Sequence, residues 1–144
     1  MRMAFHQFNT EIFIQASAEQ VWQVMQDVER WPEWTASISK VIPLDQGPIA
    51  VGKRVKVIQP KLQPAVWKFT KIQPNNGFEW ITGNFVLRMV AQHWIQAVAG
   101  GAQVTLSVDI SGWLAGFVAK KYGKLTRDYL QMEANGLKVK TESR

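Results

Sequence analysis

Ala102-Gln103-Val104-Thr105-Leu106-Ser107-Val108-Asp109-Ile110 alternates without a break: Val104, Leu106, Val108 and Ile110 share one side, and Gln103, Thr105, Ser107 and Asp109 the other. A period of two with one apolar face is a strand whose sheet is wet on one side. The period then changes. Leu114, Phe117 or Val118, Tyr122, Leu125, Tyr129, Met132 and Leu137 recur at steps of three and four or close to them, which predicts an amphipathic helix over 114–138, about 37 Å long at 1.5 Å per residue. Gly116 and Gly123 inside it cost roughly 1 kcal/mol each against Ala. Their use is either close packing or a kink that admits a ligand. A half-wet sheet has to cover its apolar face, and this helix is the only large cover available.

Working back toward the N-terminus, the period stays at two. A strand over about 85–98 meets 102–110 through a hairpin at Gly100-Gly101. Phe78 and Trp80 oppose Glu79 and Ile81, and Pro74-Asn75-Asn76-Gly77 supplies the preceding turn. Residues 65–73 set Trp67 and Phe69 against Lys68 and Thr70; residues 52–59 set Val55 and Val57 against Arg54, Lys56 and Ile58. A short strand at 40–44 ends in the turn Asp45-Gln46-Gly47-Pro48, and Pro60 and Pro64 bracket a loop. Before that, Trp31-Pro32-Glu33-Trp34 reads as a short helix with Pro32 in its first turn. Ser17 and Gln20 form a capping box for a helix over 18–27, whose Val21, Val24, Met25 and Val28 face one way. Residues 8–15 form a first strand with Thr10, Ile12 and Ile14 on one face. The order is strand, two short helices, a run of antiparallel strands and one long helix, an α+β domain spanning 1–144.

Composition agrees with one globular domain. Of the 144 residues 47% are hydrophobic and 19% charged, which excludes a disordered chain. With no cysteine, disulfide and thiolate chemistry are excluded, and two histidines, His6 and His93, argue against a His-rich metal site. No metal or other cofactor is expected. The window 89–108 carries no formal charge, but Gln92, His93, Gln96 and Gln103 interrupt it, so it reads as two strands rather than a membrane span. The N-terminus has no signal-peptide stretch, and the expected location is cytoplasmic. Basic residues exceed acidic ones by 17 to 11, and residues 113–144 hold seven Lys/Arg against three Asp/Glu. Seven tryptophans against two tyrosines must either pack a core or line a cavity.

Ile12-x-Ile14-x-Ala16-Ser17-x-Glu19-x-Val21-Trp22, followed by Asp27-x-Glu29-x-Trp31-Pro32-x-Trp34, resembles the START-like superfamily, also called SRPBCC, and within it the polyketide cyclase/dehydrase-like families. Gly47-Pro48…Gly52 and His93…Gly100-Gly101…Gly112, leading to a helix that ends near Glu133-Ala134-x-Gly136-Leu137-Lys138, agree with it over nearly the whole chain. The resemblance implies a helix-grip fold: a curved seven-stranded antiparallel sheet around the C-terminal helix, two short helices after the first strand, and a deep apolar cavity. Members bind lipids, quinones, polyketides or hormones, and some are cyclases or aromatases.

Strand parity points Val55, Val57, Trp67, Phe69, Phe78 and Trp80 inward, and with them Met89, Ala91, His93 and Ile95. The helix would add Leu114, Phe117, Val118 and Tyr122, and Trp34 sits near the proposed cavity end. The bland reading of each is core packing; as a set they describe the wall of a ligand site. His93 is the one inward titratable group. It is either a satisfied core histidine or an orienting or acid/base group, with Tyr122 the only other polar candidate. Glu79 and Asp109 fall on the outward parity, and Arg88 lies opposite His93, so no carboxylate pairs with it. The leading expectation is binding, with transport or sequestration, of a small hydrophobic ligand, aromatic or lipid-like. The alternative is a polyketide cyclase/aromatase-type enzyme using His93. No phosphate loop, nucleophile elbow or RNA-binding signature is present, so no nucleic acid is expected. The basic C-terminal helix leaves transient membrane contact open, and the chain is expected to be a monomer or homodimer.

Overall fold

The computed structural model describes residues 5–143. β1 (Phe5–Ile14) leads through α1 (Ala18–Met25) and a 3₁₀ helix (Val28–Glu33) to β2 (Lys40–Pro43) and β3 (Arg54–Ile58). β4 (Ala65–Gln73), β5 (Gly77–Gly83), β6 (Arg88–Val98), β7 (Gly101–Ser111) and α2 (Ala115–Glu142) follow. The strands form a single curved sheet in the order β1-β7-β6-β5-β4-β3-β2, antiparallel at every pair. This is the helix-grip architecture that the resemblance implies.

Local chemistry explains the elements. The Ser17 hydroxyl accepts from the Gln20 N–H at 3.1 Å, while Gln20 Oε1 accepts from the Ser17 N–H at 2.9 Å, closing the capping box of α1. Val21, Val24, Met25 and Val28 are all buried. Even positions of β7 and odd positions of β6 point inward, as their alternation requires: Val104, Leu106, Ile110, Ala91, His93 and Ile95 are buried.

Several boundaries differ from the sequence reading. Pro32 is the fifth residue of the six-residue 3₁₀ helix, not part of its first turn; a 3₁₀ segment this short loses little by one missing N–H. β6 begins at Arg88 because Asn84 turns the chain first: its Oδ1 accepts from the Val86 and Leu87 N–H groups. β2 stops at Pro43 and β3 covers 54–58. α2 starts at Ala115 and runs as one continuous helix through both glycines to Glu142. Gly123 serves close packing, since a Cβ there would lie 3.3 Å from the Phe8 ring, whereas at Gly116 the nearest atom is 3.9 Å away.

α2 packs mainly along β1, and on β7 and α1. It therefore leans toward one edge of the sheet and stands off from the concave face of β3–β6. The C-terminal half is drawn in tightly. A Cβ on Gly136 would meet the Trp34 carbonyl oxygen at 2.0 Å, so only glycine lets α2 approach the end of the 3₁₀ helix this closely.

Candidate functional site

The concave face is filled at one end and hollow at the other. Trp31 is the hub of the filled end: its ring centroid lies 5.3 Å from Trp34, 5.3 Å from His93, 5.6 Å from Trp80 and 6.0 Å from Phe78. Its Nε1–H donates to the Met25 carbonyl at 2.9 Å, which satisfies the one polar atom of a buried indole. Phe69 packs 5.1 Å from Phe78 and 5.3 Å from Trp80.

Beside this cluster lies a cavity of about 320 Å³, at the low end of the roughly 300–1,000 Å³ typical of ligand sites. Its sheet wall is Val57, Trp67, Trp80, Met89, Ala91 and His93; its helix wall includes Val118, Tyr122, Tyr129 and Glu133. Gln59, Leu62, Gln63 and Pro64 roof it. Of the lining residues Gln63 and Pro64 are exposed, and Leu87, Met89, Val118 and Tyr122 are among those half-buried. The Tyr129 hydroxyl donates to the Pro60 carbonyl, strapping the roof loop to α2; burial raises the pKa of this phenol, so it remains a donor across the neutral range.

All ten strand residues expected to face inward do so. Val57, Trp67, Trp80, Met89, Ala91 and His93 line the cavity; Val55, Phe69, Phe78 and Ile95 instead fill the core beneath it. On the helix, Val118 and Tyr122 line the cavity. Leu114 and Phe117 do not: they are 47% and 63% exposed. The phase of α2 is set by Ala115, which is fully buried, and two residues further on the helix has turned by about 200°, carrying Phe117 outward. Leu114 precedes the first helical residue. Trp34 lines a narrow void next to the cavity, together with Met25, Trp31, His93, Leu106, Glu133 and Leu137.

Two titratable groups, His93 and Glu133, line both the cavity and this void. His93 stacks on Phe78 at 4.3 Å, edge-on to Trp31 and Trp80. Burial lowers its pKa to about 3, so the imidazole is neutral. Its Nδ1 is buried and has no hydrogen-bond partner. Burial raises Glu133 to about 8, so at neutral pH its carboxyl is protonated and has a proton to donate. The sequence reading found no carboxylate for His93 because it drew the apolar helix stripe through Met132. In the structure Met132 is 36% exposed, and the neighbouring Glu133 faces the cavity. The signal was present: Glu133 is four residues before Leu137 and four after Tyr129, the spacing of the buried face. Glu79 and Asp109 stay on the outer parity; Glu79 accepts from Thr70 and Gln92, each at 2.9 Å, outside the cavity.

Among the described residues no group of three His, Asp or Glu is placed to hold a metal, and no helix is long and apolar enough to cross a membrane.

Solved structures with this architecture share its shape more than its sequence. The ZhuI aromatase/cyclase from a Streptomyces species superposes with a TM-score of 0.79 at 14% identity, covering 98% of this chain and 96% of its own. Norcoclaurine synthase from Thalictrum flavum, solved with dopamine and hydroxybenzaldehyde, gives 0.76 at 12% identity, covering 99% and 89%. Ara h 8.0201 gives 0.73 at 14%, covering 98% and 100%. At such identities these likenesses establish the fold alone. Among curated protein sequences none matches. The family model for polyketide cyclase / dehydrase and lipid transport proteins matches residues 6–141, and with it the chain belongs to that family, within the START-like superfamily.

Proposed function

We propose that the protein binds a small, largely apolar ligand in the cavity and holds a neutral oxygen of that ligand, a carbonyl or hydroxyl, at His93 and Glu133. The observation that carries this reading is the unpartnered, buried Nδ1 of His93, a residue that lines the same cavity as Glu133. A buried polar atom without a partner is costly, and a ligand oxygen between the two groups would relieve that cost. The protonated carboxyl donates; the imidazole supplies the second contact. Trp67 and Trp80, 5.6 Å apart and tilted by 33°, offer flat faces to a ring system. The volume suits a molecule of roughly two or three rings.

A second reading is cyclase-type turnover, with Glu133 protonating a substrate carbonyl as a carbon–carbon bond forms. Two titratable groups lining one cavity, one a protonated carboxyl, support it. The basicity of His93 weighs against it: a group whose pKa is about 3 is a weak proton acceptor at neutral pH. Binding is therefore the leading function.

The test uses two probes that differ only in the oxygen, acetylnaphthalene and ethylnaphthalene, titrated by quenching of tryptophan fluorescence. Both should bind, the ketone about fivefold more tightly, since one good hydrogen bond is worth roughly 1 kcal/mol. Glu133→Leu should erase that difference. If neither probe binds, the cavity reading fails; if they bind equally in the unaltered protein, the polar anchor fails.

A further inference from the structure

Four large apolar side chains that should be buried are not. Phe85 is 68% exposed, Trp113 75%, Leu114 47% and Phe117 63%. They come from two separate segments, the β5–β6 connection and the β7–α2 junction, yet they meet: the Phe85 and Trp113 rings lie 5.6 Å apart, edge to face.

The exposure is built into the backbone. Asn84 folds the first segment through three hydrogen bonds: its N–H donates to the Leu87 carbonyl at 2.9 Å, and its Oδ1 accepts from Val86 and Leu87. The Leu114 N–H donates to the Val86 carbonyl at 3.0 Å, tying the second segment to the first. Gly112 permits that approach, with φ +107° and Val86 O only 2.5 Å from where its Cβ would stand. The two tips are thus clamped in a position that presents aromatic rings to the outside.

The stretch of helix beside the patch is predominantly basic, and among the described residues Lys124 alone of its cations is ion-paired, to Asp128 at 3.1 Å. From Ala115 to Arg127 the helix carries Lys120, Lys121, Lys124 and Arg127 and no carboxylate. Lys121 Nζ lies 5.9 Å from the Phe117 ring centroid, so cation and apolar ring adjoin directly. Arg88, exposed at the start of β6, adds to the same edge. Tryptophan and phenylalanine with a lysine fringe is the composition that enters the headgroup region of an anionic bilayer. A soluble protein partner would have to match the apolar patch and supply acidic groups as well; an anionic lipid surface offers both at once.

The patch also adjoins the cavity wall. Leu87 follows Phe85 and Val86, and Val118 and Tyr122 are neighbours of Phe117 and Lys121; all three line the cavity. We infer that this edge docks on an anionic membrane surface, with Phe85, Trp113, Leu114 and Phe117 entering the interface and the lysines of α2 meeting lipid phosphates, so that ligand passes between bilayer and cavity without crossing water. The passage of ligand rests on the cavity reading above; the docking does not.

Co-sedimentation with phosphatidylcholine vesicles, with and without phosphatidylglycerol, tests it on the full chain. The protein should bind the mixed vesicles, bind the neutral ones more weakly, and lose affinity as salt is added. Trp113→Ser with Phe117→Ser should weaken binding at least about tenfold while leaving acetylnaphthalene binding and the melting temperature unchanged, because neither side chain lines the cavity. Lys120→Gln with Lys121→Gln should flatten the salt dependence. No binding to the mixed vesicles, or binding that the double apolar variant leaves intact, overturns the docking. So does a concentration-dependent dimer that the double apolar variant abolishes while vesicles are ignored; the patch would then face a second copy of the chain. Vesicle binding without naphthalene binding would remove the cavity reading and leave the docking standing.

Discussion

The two ends of the concave face are built from the same strands with the same alternation, yet one is solid and the other hollow. On β5, Phe78 is fully buried in the ring cluster, while Trp80, two residues on, shows a face to the cavity. What differs is the element opposite. At the solid end the 3₁₀ helix brings Trp31 down onto the sheet, and Gly136 lets α2 close over Trp34. At the hollow end α2 leans toward β1 and β7, and a loop strapped by Tyr129 supplies the roof. A cavity in this fold is a place where helix and sheet are held apart by what supports them at either side, not a place where inward side chains are small.

The contrast breaks most visibly at the hubs. Trp31→Ala should cost about 4 kcal/mol in urea denaturation, the usual loss for a fully packed indole. Trp67→Ala should cost about 2 kcal/mol, because one face of that ring already lacks protein neighbours, and should weaken acetylnaphthalene binding about tenfold. Equal costs at the two positions would mean that the cavity is not hollow in solution. Gly136→Val, which sets a side chain where the Trp34 carbonyl stands, should destabilise by about 3 kcal/mol while leaving the vesicle-docking edge untouched. A neutral result would show that α2 can move off the 3₁₀ helix freely.

The paired groups at the boundary between the two ends sharpen the comparison through pH. Glu133 titrates at about 8 in the folded chain against an ordinary 4.5. Between those values the native state holds a proton that the unfolded state has released, so stability falls as pH rises through that window. His93 titrates at about 3 against 6.5. Between these the unfolded state holds the extra proton, so stability rises with pH. From 4.5 to 6.5 the two slopes oppose each other; from 6.5 to 8 Glu133 acts alone. Stability should decline there by about 2 kcal/mol at 1.36 kcal/mol per pH unit, and Glu133→Gln should abolish the decline. Denaturation midpoints across this range decide it; an unchanged decline in the variant would place the titrating group elsewhere. Ligand affinity should follow the same course, since deprotonation removes the donor.

Strands and their facing were legible because a period of two leaves no freedom: once Val104 and Leu106 point in, so must Ala91, His93 and Ile95 across the ladder. The helix was legible in kind and not in phase. A stripe of steps of three and four can be drawn through Leu114, Phe117 and Met132 or through Ala115, Val118 and Glu133 with equal regularity, and the hydrophobic choice was the wrong one at three positions. What fixed the true phase is tertiary. Small residues at 115 and 134 sit fully buried, and a carboxyl is tolerated inside because it stays protonated. The exposed Phe85–Trp113 pair was hidden for the same reason, since nothing in either segment announces that Gly112 clamps them together.

The smallest expected effect tests the roof. Tyr129 is buried, and its hydroxyl reaches across to the Pro60 carbonyl, the one side-chain bond joining α2 to the 59–64 loop among the described residues. Tyr129→Phe keeps the ring and removes the bond. The cost in stability should be about 1 kcal/mol. At the solid end a bond of that size would be one of many, but here it holds the segment that a ligand has to pass. Stopped-flow release of acetylnaphthalene should therefore accelerate by roughly fivefold, with entry accelerating in step and affinity nearly constant. A loss of stability with unchanged rates would assign the strap to helix anchoring and move the ligand's path to the side framed by Leu87, Val118 and Tyr122, where the aromatic edge stands.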